Sequence, residues 1–431
     1  MNVLSYLMRS RGPVNSARRL GVIGRRFGIS QRKMTATLDA YLDITDQFHC
    51  SPTLAVTANL LDRYPRPFRR LAERGAELAV HGYVHTDYAQ LDLGQQRVHM
   101  DKALAAYRKL GIPVQGFRGP YLGWNADSVA VAREAGLSYG SNRSIAWDVV
   151  EPDGISAQSW QSYHKGLLLY KAAEPTAVSA LPSTVDGGLL DLPVSLPDDE
   201  AMVDRLQLTS QQRVAAWLRI LNAVYSRGEL FTLVLHHERL PICKDALVAL
   251  LADARQRAPE VWIAPLRDIA AWWRRREHVR LAVEEVATGE YRVTGPNDED
   301  ATILVHETVA SPNSEPWCGT YRIASAREIS VVNGRAPWIG VRYDAPDEMV
   351  RFLEGEGYVV KRGDASICAL FIDRAAFSDG DKLGLIDLVE RSDAPLVRLW
   401  RWPRRSRCAL SVTGDIDAMS LIDFLRRPLE V

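Results

Sequence analysis

Residues 74–88, RGAELAVHGYVHTDY, place a short, mostly apolar run directly ahead of two histidines, His81 and His85. Gly75 closes the helical pattern FRRLAERG, so the run Ala76–Val80 reads as a buried strand whose end delivers the histidine pair. Neutral imidazole is a common zinc ligand, and an i, i+4 spacing on a helical turn lets both rings reach one ion. With nine histidines in 431 residues such a pair also arises by chance, so its meaning depends on what the rest of the chain brings beside it.

Outward from this stretch, residues 31–276 alternate helix and strand, the pattern of an α/β domain with a parallel sheet. KMTATLDAYLDITDQF spaces its apolar residues as a helix, PTLAVTA as a strand, VHMDKALAAYRKLG as a helix, VQGFRGP as a strand and DSVAVAREAG as a helix; SYGSN begins the next strand. LLDLPVS, the helix QQRVAAWLRILNAVYSRG, the strand LFTLVLHH, a helix near DALVALLADARQRAP, the strand VWIAPL and the helix DIAAWWRRR continue the series. The six or seven strand and helix pairs predict an incomplete or distorted (β/α) barrel. After Glu277 the segments become short, alternating and β-branched, with TG, PND and NG turns, so a smaller β-rich accessory module is expected. We divide the chain at 1–277, 278–400 and 401–431.

Lys+Arg and Asp+Glu are both 53, which gives no global attraction to nucleic acid, and no nucleic-acid partner is expected. Five scattered cysteines without a CxxC pair suggest reduced structural thiols and a reducing compartment. The N-terminal 30 residues lack a signal-peptide pattern, and no segment is long enough to span a bilayer, so a cytoplasmic location is expected. Arg9, Arg11, Arg18, Arg19, Arg25 and Arg26 alternate with apolar residues. They suit a basic helix touching the inner membrane surface, or a solvated helix packed on its own domain. Oligomeric state is not readable.

Four features end predicted strands, where barrel enzymes assemble their sites. They are His81 with His85; Arg118 and the turn at Tyr121 in FRGPY; His236 in LVLHH; and Asp415 with Asp417 in SVTGDIDA. Arg118 is suited to orient a carboxylate, the turn to offer backbone N–H groups, and His236 to act as an acid near neutral pH. Each residue also has a plain structural reading. His236 could be a core residue with His237 operative, Arg118 a surface ion pair, and Asp415 and Asp417 caps for AMSLIDFLRR. Trp124 and Trp147 are candidates to stack on a sugar, whereas Trp272, Trp273, Trp400 and Trp402 read mainly as packing.

In these motifs the chain resembles the polysaccharide deacetylases, carbohydrate esterase family 4 with the NodB-homology fold. HGYVH is similar to their H(S/T)xxH metal motif, FRGPY to RxPY and LVLHH to the closing Leu-His. The family's opening TFDDG strand is not matched in residues 1–40; its nearest equivalent is SVTGDIDA at 411–418. The resemblance therefore implies a circular permutation in which the C-terminus supplies the first barrel strand. It further implies that Asp417, His81 and His85 hold a divalent ion, most simply Zn2+, that Asp415 is the base paired to Arg118, and that His236 is the acid. A backbone N–H near Tyr121 meets the oxyanion, and Asp191 is a candidate for the family's fourth-motif carboxylate. The implied activity is removal of N-acetyl groups from a glycan or lipid-linked amino sugar. Hydrolysis of another amide such as a formamide, or a silent glycan-binding scaffold, are the alternatives.

Overall fold

The computed structural model describes residues 21, 24, 26–185, 188–309, 311, 314–332 and 334–427. Arg9, Arg11, Arg18, Arg19 and Arg25 lie outside them, whereas Arg26 donates to Asp204 at 2.9 Å. A nine-stranded sheet organises the larger part of the chain. Its parallel strands are β1 (Thr53–Val56), β2 (Glu77–Val80), β3 (Gly116–Phe117), β4 (Tyr139–Gly140), β5 (Leu189–Asp191), β6 (Leu230–Val234), β7 (Val261–Ile263) and β8 (Cys408–Ile416). Ser183–Val185 adds an antiparallel edge to β5. The spatial order β7-β8-β1-β2-β3-β4-β5, with β6 also on β8, is the expected distorted half-barrel.

Helices α1 (Gln31–Gln47), α2 (Leu93–Leu110), α3 (Ser210–Arg227), α4 (Leu240–Gln256) and α5 (Leu266–Arg276) alternate with the strands. Capping boxes at Asp92/Gln95 and Thr209/Gln212 start α2 and α3, and Gly111 and Gly228 end them in the left-handed conformation. A helix at Ala157–Leu169 joins this set without a counterpart in the sequence reading.

Strand β8 comes from the C-terminal end of the chain, yet it lies in the middle of the sheet. Thr413–Ile416 pair with β1, Ala409–Thr413 with β6 and Cys408–Leu410 with β7. All nine of its residues are buried. Leu410, Val412 and Ile416 are fully enclosed in the core, each such side chain contributing about 1.5–3 kcal/mol. Gly414 is required by close approach, since a Cβ there would stand 2.3 Å from the Leu235 carbonyl oxygen.

The accessory region contains two antiparallel sheets of three and four strands and a parallel three-stranded sheet. Helices Asp347–Gly355 and Lys382–Glu390 accompany the parallel sheet. It joins the barrel at the N-terminal ends of the strands. Trp402 Nε1 donates to the Gly228 carbonyl, just ahead of β6, at 2.8 Å, and Trp272 Nε1 donates to Arg401 O at 2.8 Å. Trp400 and Trp402 are buried packing residues at this junction and face no open groove.

Candidate metal centre and acid–base site

The C-terminal ends of β2, β3, β6 and β8 converge on one site. His81 follows β2 and its backbone N–H donates to Val56 O of β1 at 2.9 Å. The expected helical turn is absent, because residues 81–87 form a bent loop. Gly82 sets that bend at φ +74°, where a Cβ would meet the Tyr88 ring at 2.9 Å. The loop nevertheless brings the His81 and His85 ring centroids within 5.3 Å. Tyr121, with φ 59° in the turn after β3, packs its ring edge-on to His85 at 4.6 Å.

The sequence-distant acids reach these histidines. His81 Nε2 lies 3.3 Å from Asp417 Oδ1, and His85 Nε2 lies 3.4 Å from Asp417 Oδ2. His81 Nδ1 is 2.8 Å from the Arg118 carbonyl, which can only accept. The proton therefore sits on Nδ1 and the Nε2 lone pair faces the carboxylate. Burial pushes His81 down to about 4, more than the Asp415 charge restores, and burial with the nearby Arg427 charge lowers His85 as well. Both rings are thus neutral near pH 7, the state that ligates metal.

A divalent ion fits this donor set. Ligand atoms each about 2.1 Å from an ion in tetrahedral geometry stand roughly 3.4 Å apart, the spacing found here between imidazole nitrogen and carboxylate oxygen. Asp417 Oδ1 and His85 Nδ1 are buried polar atoms without a hydrogen-bond partner, the former aimed at the His81 lone pair. His81, His85 and Asp417 place their ligand atoms within 4.8 Å of one another.

Asp415 stands beside this cluster, its Oδ2 3.9 Å from His81 Nε2. Arg118, only 2 % exposed, donates from Nη1 to Asp415 Oδ1 at 3.0 Å and to Thr413 Oγ1 at 2.9 Å, and from Nη2 to Ser141 Oγ at 2.9 Å. Burial alone would raise the Asp415 carboxyl. The fields of His81, Arg118 and His236, with the Arg118 hydrogen bond, override it and hold the carboxyl below its usual range. Neither acid caps the following helix, a role taken by Ser420.

His236 follows β6, and its Nδ1 lies 2.8 Å from Oδ1 of the buried Asp199. Asp199 Oδ2 also accepts the His236 backbone N–H at 3.1 Å. Burial would lower this imidazole, but the Asp199 charge and hydrogen bond push it up to about 10. His237 is fully buried with both ring nitrogens lacking hydrogen-bond partners. Asp191 does not meet His236; its carboxylate pairs with Arg143 Nε at 3.1 Å. Asp199 thus holds the place for which Asp191 was a candidate. Its only signal in the sequence was the three acids that end PVSLPDDE, Asp198, Asp199 and Glu200. Trp147 is buried with Nε1 donating to Ser195 Oγ at 3.2 Å, leaving no face for a sugar, and half-buried Trp124 packs on the core.

Residues 30–140 match the family model of polysaccharide deacetylase. The match takes in His81, His85, Arg118 and Tyr121 and ends before Asp199, His236, Asp415 and Asp417. A peptidoglycan deacetylase-like protein of Gibberella zeae is 30% identical over 93 residues, which cover 21% of this chain and 28% of that protein. A solved structure described as a polysaccharide deacetylase from Mycobacterium smegmatis aligns over 63% of this chain and 84% of its own at 22% identity, with a TM-score of 0.45. A family 4 carbohydrate esterase from Streptomyces lividans aligns over 32% and 65% at 22% identity, with a TM-score of 0.23. No described helix is long and apolar enough to cross a membrane.

Proposed function

We propose that this chain is a divalent-metal-dependent de-N-acetylase acting on an amino sugar of a glycan or lipid-linked precursor, built as a circular permutant of the deacetylase barrel. The observation that carries the reading is the meeting of Asp417 with His81 and His85, beside an Asp415 held ionised by Arg118. Asp417, His81 and His85 would hold the ion. Bound there, a divalent cation supplies Lewis-acid polarisation and a water of lowered pKa.

The remaining steps belong to the chain's own side chains. Asp415 accepts the proton of the attacking water, and Arg118 keeps that carboxylate charged and aimed. The water oxygen bonds to the amide carbon, and a backbone N–H of the Pro120–Leu122 turn meets the oxygen that gains charge. His236, protonated through Asp199, gives its Nε2 proton to the departing nitrogen as the C–N bond breaks, releasing acetate and the free amine. The partly exposed His236, and not the enclosed His237, suits this role. A lipid-linked substrate would be met at the inner membrane surface, with the N-terminal arginines as the contact.

Acetate release from N-acetylhexosamine oligomers by metal-stripped protein tests the reading. Release should return when Zn2+ or Co2+ is added. Background release from protein shown to be metal-loaded, across neutral, anionic and lipid-linked N-acetylated sugars, would overturn it.

A further inference from the structure

The reaction proposed above leaves one cation of the site without a task. Arg427 places Nη2 3.0 Å from Asp417 Oδ2, the oxygen that also faces His85, and its Nε donates to the Asp417 carbonyl at 3.2 Å. The side chain is 9 % exposed, and its guanidinium lies 4.9 Å from the Phe424 ring centroid.

This placement is built by the fold. Helix α6 (Leu421–Arg426) is capped by Ser420 and holds Asp423 against Arg63 Nη1 at 3.1 Å and the Tyr64 hydroxyl at 3.0 Å. Leu421 N–H donates to Gly28 O at 2.8 Å, and Phe424 packs on Phe27 with centroids 5.5 Å apart. Four contacts with distant parts of the chain thus fix the helix that presents Arg427.

Resting on the metal reading of this site, we propose that Arg427 is a resident rival to the metal, a positioning residue that weakens metal affinity and makes loading of the centre readily reversible. Asp415 is matched by Arg118 and Asp417 by Arg427, so each acid beside the two histidines already has a cation against it when a divalent ion arrives. An arginine cannot relieve the conflict by losing its proton. An outer partner can also help a ligand by orienting it. Here Arg427 meets the same Asp417 oxygen that faces His85, while His81 is already oriented by the Arg118 carbonyl. Repulsion between a guanidinium and an ion sharing one carboxylate, on side chains only 9 % and 16 % exposed, sets the expected sign.

The test is calorimetric titration of full-length, metal-stripped protein with Co2+ or Zn2+. Arg427→Met should bind about ten-fold more tightly than the unaltered chain, while Arg427→Lys, which keeps the charge, should stay within about three-fold. Arg427→Gln with a thermal melt provides a second neutral variant should the methionine variant fold poorly. Equal or weaker binding by folded neutral variants, with the unaltered chain binding metal, would overturn the role of Arg427 alone. Absence of binding by all of them would overturn this proposal and the metal reading together.

Discussion

Buried arginine meets buried carboxylate at both ends of the barrel, with opposite outcomes. At the N-terminal end of the strands, Glu356 Oε2 accepts from Arg398 Nη2 at 3.0 Å and Arg401 Nε at 2.8 Å, while Arg398 also reaches the Tyr358 hydroxyl and Glu390. That cluster closes on itself and joins the accessory region to the barrel. At the C-terminal end, Arg118 saturates Asp415, but Asp417 Oδ1 and His85 Nδ1 stay buried without hydrogen-bond partners. The carboxylate at the junction is fully engaged by arginines, whereas Asp417 faces the His81 and His85 rings and its Oδ1 has no hydrogen bond of its own.

Substitutions at the two ends should separate these roles. Asp415→Asn keeps the shape and removes the base, so acetate release should fall by about 10³–10⁴ while bound metal, measured by elemental analysis, is retained. Glu356→Gln should do the reverse, costing about 3–5 kcal/mol in denaturant unfolding by stranding Arg398 and Arg401, with metal affinity unchanged. Burial would raise Glu356, but Arg401 and Arg398 hold it low. Its contribution is therefore full above the ordinary carboxylate pKa and is lost as pH falls through the depressed folded value.

Asp199→Asn should have the smallest effect of the three, reducing turnover by about 10². It should also move the alkaline limb of the pH–rate profile. An acid works in its protonated form, so with His236 at about 10 activity is lost only as pH rises toward that value. Removing the Asp199 charge takes away the effect that raises the imidazole, and the limb should shift to lower pH. An unmoved limb would separate His236 from the proton transfer.

Much of this arrangement was legible in local pattern. AELAV and LFTLVLHH announce buried strands, and SVTGDIDA announces another whose acids had no partner nearby in sequence. The central place of β8 was implied only by the family resemblance, since the opening residues contained no strand ending in acids. What escaped depended on contacts across the fold. The turn of HGYVH is set by Gly82 against Tyr88, which outweighs the helical reading of an i, i+4 spacing. Asp199 reaches His236 across 37 residues from a helical turn just past the strand Val194–Leu196, and only Asp191 was offered for that place. The task of the accessory region was unreadable for the same reason: its anchor is Trp402 Nε1 on the Gly228 carbonyl, 174 residues away.

Metal titration of Asp417→Asn beside the unaltered chain bears directly on the metal centre, because the change preserves volume and removes only the charge and one ligand oxygen. The unaltered protein should bind one Zn2+ or Co2+ through two imidazoles and a carboxylate, and the variant, folded by circular dichroism, should lose at least about 10² in affinity. Equal affinity in the two proteins would show that the C-terminal acid is no part of a metal centre.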